Sequence, residues 1–193
     1  MTDIATKHAL AELVPVGARV LDLGCGDGTM LAHLQQTRSC TGYGIEIDDA
    51  NVLACVQRGV NVIQLNLDEG LAMFDDASFD VVLQLDTLQH LRNAEVMLRE
   101  TVRVGRVGII AFPNFAHWPN RLSVLKGRMP VTKRLPYQWY DTPNIRVGTH
   151  ADLRTLAERS GLKVLDSFGV QGGRTVRFAP NLLAGTSVYL LSR

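Results

Sequence analysis

Val20-Leu21-Asp22-Leu23-Gly24-Cys25-Gly26-Asp27-Gly28 joins a short apolar strand, Arg19 to Leu23, to a helical pattern that opens at Thr29. Gly24 and Gly26 can take positive φ, and without a Cβ they let a ligand come up against the backbone. The helix that follows aims free N–H groups and a partial positive charge at the same spot, where a carboxylate or phosphate is welcome. Asp22, at the strand's end, offers an acceptor for a cationic amino group. An amino-acid moiety, with one carboxylate and one ammonium, satisfies both features.

Glu46 closes the next apolar run, 18 residues after Gly28, and an acid in that place accepts from both hydroxyls of a ribose. Asp68, in the loop after the third run, is placed to accept from an adenine amino group. Three separated residues thus converge on one ligand edge, as expected at the carboxyl ends of parallel strands near a switch point. A dinucleotide-binding Rossmann protein is the competing reading, but its G-x-G-x-x-G fingerprint needs glycine where Thr29 stands. A plainer alternative gives the glycines only a strand–helix packing role; Asp22, Glu46 and Asp68 together weigh against it.

Outward from this turn, short apolar runs alternate with helical patterns, which predicts stacked βα units and a largely parallel sheet. Strands are expected at 19–23, 43–47, 60–65, 79–85, 107–112, 163–170 and 187–192. Helices are expected at 29–36, 50–58, 94–102 and 150–160, the last capped by Thr149 and ended by Gly161. An N-terminal amphipathic helix (Ile4, Leu10, Leu13, Val14) would be capped by Thr2 or Asp3. From Pro113 to Val147 no strong period appears, and five of the seven prolines and both tryptophans lie there. So long an irregular stretch inside a compact unit reads as a lid or binding surface. The 193 residues are read as one domain, 1–193, with this insertion at 113–147.

Composition closes off other classes. A net charge of +1 gives no global pointer to nucleic acid or membrane. No apolar run reaches the length of a membrane-spanning helix, and the N-terminus lacks a signal-peptide pattern. Cys25, Cys40 and Cys55 are odd in number and form no CxxC pair, so neither a disulfide framework nor a zinc site follows and no metal is expected. The default compartment is the cytoplasm.

The glycine motif at Asp22–Gly28, the acids Glu46 and Asp68, SFDVV at Ser78–Val82 and the late HADLRTLAERSGLKVL resemble the class I S-adenosylmethionine-dependent methyltransferases over nearly the whole chain. That resemblance implies a three-layer Rossmann-like α/β fold with a seven-stranded, mostly parallel sheet of order 3-2-1-4-5-7-6. It implies a site for S-adenosylmethionine or S-adenosylhomocysteine in which the motif meets the methionine moiety, Glu46 the ribose and Asp68 the adenine. Gln84 to Thr87 match the segment that touches the methionine end. The cofactor-binding set is then Asp22, Gly24, Cys25, Gly26, Gly28, Glu46, Ile47, Asp68, Gln84 and Leu85. More specifically, the string from Phe112 to Ile145, with GYGIEID (Gly42 to Asp48) and GVNVIQLNLDEGL (Gly59 to Leu71), is similar to the methionine biosynthesis protein MetW family. This implies a partner or activator of homoserine O-acyltransferase (MetX), the alternative being a free-standing methyltransferase acting on a small molecule.

The insertion gives an independent pointer to a partner. Arg121, Lys126, Arg128, Lys133, Arg134 and Arg146 stand there against the single acid Asp141, interleaved with Phe115, Trp118, Tyr137, Trp139 and Tyr140. Aromatics with arginine are the usual make-up of an interface centre; a lid with solvated charges and an RNA-contacting face are the other readings. For catalysis, His90, His117, Tyr137 and Tyr140 are the candidate bases, with a structural role favoured for His90 and a lid or interface role for His117. Acylation itself is not assigned to this chain, because the G-x-S-x-G elbow is absent and Ser160-Gly161 fails its spacing.

Overall fold

The computed structural model describes residues 4–193; the cap expected at Thr2 or Asp3 lies outside the described residues. In chain order the elements are α1 (Ile4–Ala11), β1 (Arg19–Leu23), α2 (Thr29–Arg38), β2 (Thr41–Glu46), α3 (Asp49–Gln57), β3 (Val62–Gln64), β4 (Phe79–Leu85) and α4 (Ala94–Val104). There follow β5 (Gly105–Pro113), α5 (Trp118–Leu125), α6 (His150–Arg159), β6 (Lys163–Gln171), β7 (Arg174–Val176), α7 (Pro180–Leu183) and β8 (Thr186–Ser192).

All the strands join one sheet of order β3-β2-β1-β4-β5-β8-β6-β7. Strands β1 to β5 run parallel, and β8 lies antiparallel between β5 and β6. The expected class and order hold, with one strand more than the seven expected. The extra strand, β7, folds back on β6 through Gly172-Gly173, both at positive φ. A two-residue loop with φ above zero at both positions is the hairpin turn that matches strand twist.

Strand residues alternate between two cores, as the period of two requires. On one face Val20, Val81, Leu83, Ile109 and Val188 pack with Leu10 and Val14, with Leu31 and Leu34 of α2, and with Cys55 of α3. On the other, Leu21, Leu23, Val82, Ile110, Tyr189 and Leu191 pack with Leu98 and Val102 of α4 and Leu153 and Ala157 of α6. Each fully buried leucine contributes about 1.5–3 kcal/mol of transfer free energy, which fixes the helices to the sheet. Sheet and two helical layers make the three expected layers.

Helix α6 begins as its sequence demands. Thr149 accepts from the Asp152 N–H while Asp152 accepts from the Thr149 N–H, a reciprocal capping box. Gly161, at φ 74°, follows its end. The insertion departs from expectation in one respect: Trp118 to Leu125 form α5, with Pro119 in the first turn, where it needs no donor. Two turns are too few to show a period in sequence. Among the described residues no helix is long and apolar enough to cross a membrane.

Candidate functional site

The strand order reverses between β1 and β4, and at the carboxyl ends of these strands lies a hollow of about 620 Å³. That position is the general ligand crevice of open α/β sheets, and the volume falls within the range of small-molecule sites. Gly24, Glu46, Ile47 and Asp68 of the expected set line it, together with Ile45, Leu65, Asn66, Leu67, Asp86, Thr87, His90, Leu91, Arg92 and Ile145.

Glu46 is locked by the backbone. Its Oε2 accepts from the Gly26 N–H at 2.8 Å, and its Oε1 from the N–H groups of Ile47 and Asp48 at 2.8 and 3.0 Å. The carboxylate is thereby fixed at the tip of β2 with one edge on the glycine turn. The turn itself carries positive φ at Gly24, Gly26 and Gly28. A Cβ on Gly24 would stand 2.6 Å from Thr87 Oγ1, whereas one on Gly26 would meet nothing within 4 Å. Thr87 donates to the Leu23 carbonyl at 2.7 Å, tying the end of β1 to the turn after β4.

Asp22 alternates with Leu21 and Leu23 and so points away from α4, toward the α1 and α2 side. It is 2% exposed and does not line the hollow. Its Oδ1 is buried without a hydrogen-bond partner. Burial pushes its carboxyl up to about 7, against the pull of Lys7 and with a push from Glu46. A buried acid with an unmet oxygen is an acceptor waiting for a donor.

Asp68 Oδ1 accepts from the Arg92 N–H at 3.0 Å, while Asp68 Oδ2 lies 4.0 Å from Arg92 Nε. His90 lies on the wall, its Nδ1 3.1 Å from the Pro143 carbonyl oxygen. Since a carbonyl only accepts, Nδ1 carries the proton, and in the neutral ring Nε2 is left as an acceptor.

Besides Asp22, five residues of the expected set are not in the lining: Gly26, which holds Glu46 through its N–H, and Cys25, Gly28, Gln84 and Leu85. Cys25 is buried, its Sγ 3.8 Å from Cys55 Sγ. Gly28 caps α2 with left-handed backbone, and its Cβ position faces Cys55 and Val60. Gln84 is fully buried and donates to Thr101 of α4 at 2.9 Å. Leu85 packs against the other core. The hollow is instead met by the two residues that follow, Asp86 and Thr87. Both lie in the Gln84–Thr87 segment named from the resemblance, though neither was in the expected binding set, and Asp86 has left-handed backbone at φ 58°. Ile145 escaped sequence reading because it comes from the insertion.

The insertion folds back onto the wall. Ile145 and Arg146 donate their N–H groups to the Gln89 carbonyl at 3.1 and 3.2 Å. Arg146 reaches the Leu91 carbonyl at 3.0 Å and also the Arg92 carbonyl. Arg134 pairs with Asp86, Nη2 to Oδ1 at 2.8 Å, the two side chains being 14% and 15% exposed. Trp139 and Tyr140 stay outside, each 71% exposed. His117, the other candidate histidine, does not line the hollow. Among the described residues no cluster of three or more His, Cys, Asp or Glu side chains could hold a metal.

The sheet order, the glycine turn and the locked glutamate together define the fold of the S-adenosylmethionine-dependent methyltransferases. A Mesorhizobium loti enzyme of that description superimposes with a TM-score of 0.72 at 15% identity, covering 98% of each chain. The [4+2]-cyclase SpnF superimposes at 0.65 with 16% identity, covering 97% of this chain and 80% of its own. The fold therefore does not by itself assign methyl transfer.

Within that class the chain belongs to the MetW family: the model for methionine biosynthesis protein MetW matches residues 5–191. The bifunctional methionine biosynthesis protein MetXA/MetW of Rhodopirellula baltica is 36% identical over 201 residues, which cover 97% of this chain and 32% of that one. The chain spans about a third of the length of the first curated relatives it matches.

Proposed function

We propose that this chain binds S-adenosylmethionine or S-adenosylhomocysteine across its strand tips and serves homoserine O-acyltransferase as a partner rather than as an acylating enzyme. The observation that carries the ligand assignment is Asp22 Oδ1, buried without a partner beneath a glycine turn that ends at a fixed glutamate. An ammonium gives Asp22 Oδ1 the donor it lacks, while ribose hydroxyls and an adenine amino group donate to Glu46 and Asp68, whose carboxylates the backbone already holds in place. Ile47, Leu65, Leu67 and Leu91 supply apolar cover for the ring. When bound, the methionine form supplies an electrophilic methyl on a sulfonium. These side chains hold and orient.

The partner assignment is supported by the bifunctional MetXA/MetW protein of Rhodopirellula baltica, which joins the two in one polypeptide. Covalent joining keeps two modules at high effective concentration, which is useful when they work together. The insertion offers the surface: Trp139, Met129, Lys126 and Arg128 border an open groove of about 660 Å³.

Calorimetry with the purified chain tests the ligand. Heat is expected with one or both compounds and none with Gly26→Arg, which sets a long cation against Glu46. Because Gly26 has φ 57°, where any side chain is strained, a thermal melt of the variant must show that it folds. No heat and no thermal shift in the unmutated chain would remove the ligand. Co-expression with homoserine O-acyltransferase followed by size exclusion tests the partner. Trp139→Ala combined with Arg128→Ala should weaken co-elution by roughly tenfold or more, as loss of an aromatic and an arginine anchor does. Retained co-elution would move the interface elsewhere.

A free-standing methyltransferase is the second reading, favoured by His90, whose Nε2 is left as an acceptor on the wall of the hollow. There it would take a proton from an acceptor hydroxyl or amine. Label transfer from the cofactor to extract components, lost in His90→Ala, would support it.

A further inference from the structure

Residues 86–92 form one turn with two occupied sides. Toward the hollow it presents Asp86, Thr87, His90, Leu91 and Arg92, and the Arg92 N–H holds Asp68. Toward the insertion it accepts the N–H groups of Ile145 and Arg146 at Gln89, meets Pro143 through His90 and pairs Asp86 with Arg134. Asp86 has left-handed backbone, φ 58°, which aspartate tolerates better than most non-glycine residues and which its neighbours here hold in place. Part of that hold is the Arg134 pair, and part is Gln89, whose Nε2 donates to the Asp86 carbonyl at 2.9 Å. Five of the seven residues of this turn line the hollow, and the same turn anchors the insertion.

We infer that this turn links the two sites: occupancy of the hollow by an adenosine-type ligand tightens the insertion through the Asp86–Arg134 pair, and so sets the partner-binding surface. The inference rests on the ligand reading above and adds regulation to it. Linkage of this kind is reciprocal, so a partner seated on the insertion must change ligand affinity by the same factor. The ligand acts only through its different affinity for the tight and loose arrangements.

The test uses S-adenosylhomocysteine with the full chain, following amide hydrogen exchange over residues 142–147, which include the two N–H groups bonded to Gln89. At saturating ligand their exchange should slow by about fivefold or more. In Arg134→Gln, which lies off the hollow, the same saturation should leave exchange within about twofold of the free protein. Asp86→Asn removes the charge from the other end, and asparagine tolerates positive φ, so it guards against a folding defect peculiar to Arg134→Gln. Binding heat without any change in exchange would overturn the linkage and leave the ligand reading standing. An undiminished response in both variants would overturn the role of the ion pair. Absence of binding heat would overturn the ligand reading itself, and the linkage with it.

Discussion

Asp22 is buried with one carboxylate oxygen unpartnered, which costs the folded protein stability when the group is ionised. Its folded pKa of about 7 lies above its ordinary 3.8, so the folded state binds the extra proton and stability falls as pH rises through that window. Asp22→Asn should therefore raise unfolding free energy at pH 8 by on the order of 1–3 kcal/mol, with little gain near pH 4. The same change should abolish binding of S-adenosylhomocysteine, a trade of stability against function measurable by denaturant titration and calorimetry. An incoming ammonium favours the ionised carboxylate. Binding at pH 6 should then release close to one proton, falling toward none at pH 8, read from calorimetry in buffers of different ionisation enthalpy. The place of Asp22 at the end of β1, just before the glycine turn, was legible in sequence. Its burial was not, because that depends on which face α1 covers. The side chain of Gln84 follows the alternation of Val82 and Leu83 between the two cores and is buried against Thr101.

Elements carry the next set of consequences. Helix α6 starts at a reciprocal capping box, so Thr149→Ala should cost about 1 kcal/mol and lower Tm by a few degrees. Thr101 of α4 accepts a hydrogen bond from the buried Gln84 side-chain amide, and Thr101→Val should cost about 1–3 kcal/mol by removing that partner. Thermal melts of both variants check these values. The strands and long helices were readable because apolar residues recur at periods of two and 3.6. Strand β7 was missed although its Gly172-Gly173 turn is a hairpin signal, since three residues give no alternation to count. Helix α5 was missed for the same reason of length.

At the scale of the molecule, acid acts on two buried groups in opposite directions. Burial, aided by Arg154, lowers the His150 imidazole from 6.5 to about 4. The unfolded chain therefore binds the proton first, and His150 loses stability as pH falls from about 6.5 to 4. Asp22 gains over much of the same range, so the wild type should show a shallow pH profile and Asp22→Asn a steeper acid loss. Urea midpoints between pH 4 and 8 would show it; parallel profiles would contradict the assignment. The hollow's strand-tip walls were readable from sequence as separated acids, whereas the wall made by the insertion arises only from tertiary folding. The sheet's two borders have a consequence of their own. Each is a strand of three residues, Val62–Gln64 on one side and Arg174–Val176 on the other. Such stubs offer little template for a foreign strand. The terminal strands themselves thus discourage backbone zippering, while Lys163–Phe168 of β6 runs past the end of β7 and is a longer stretch of sheet margin where a companion strand could pair.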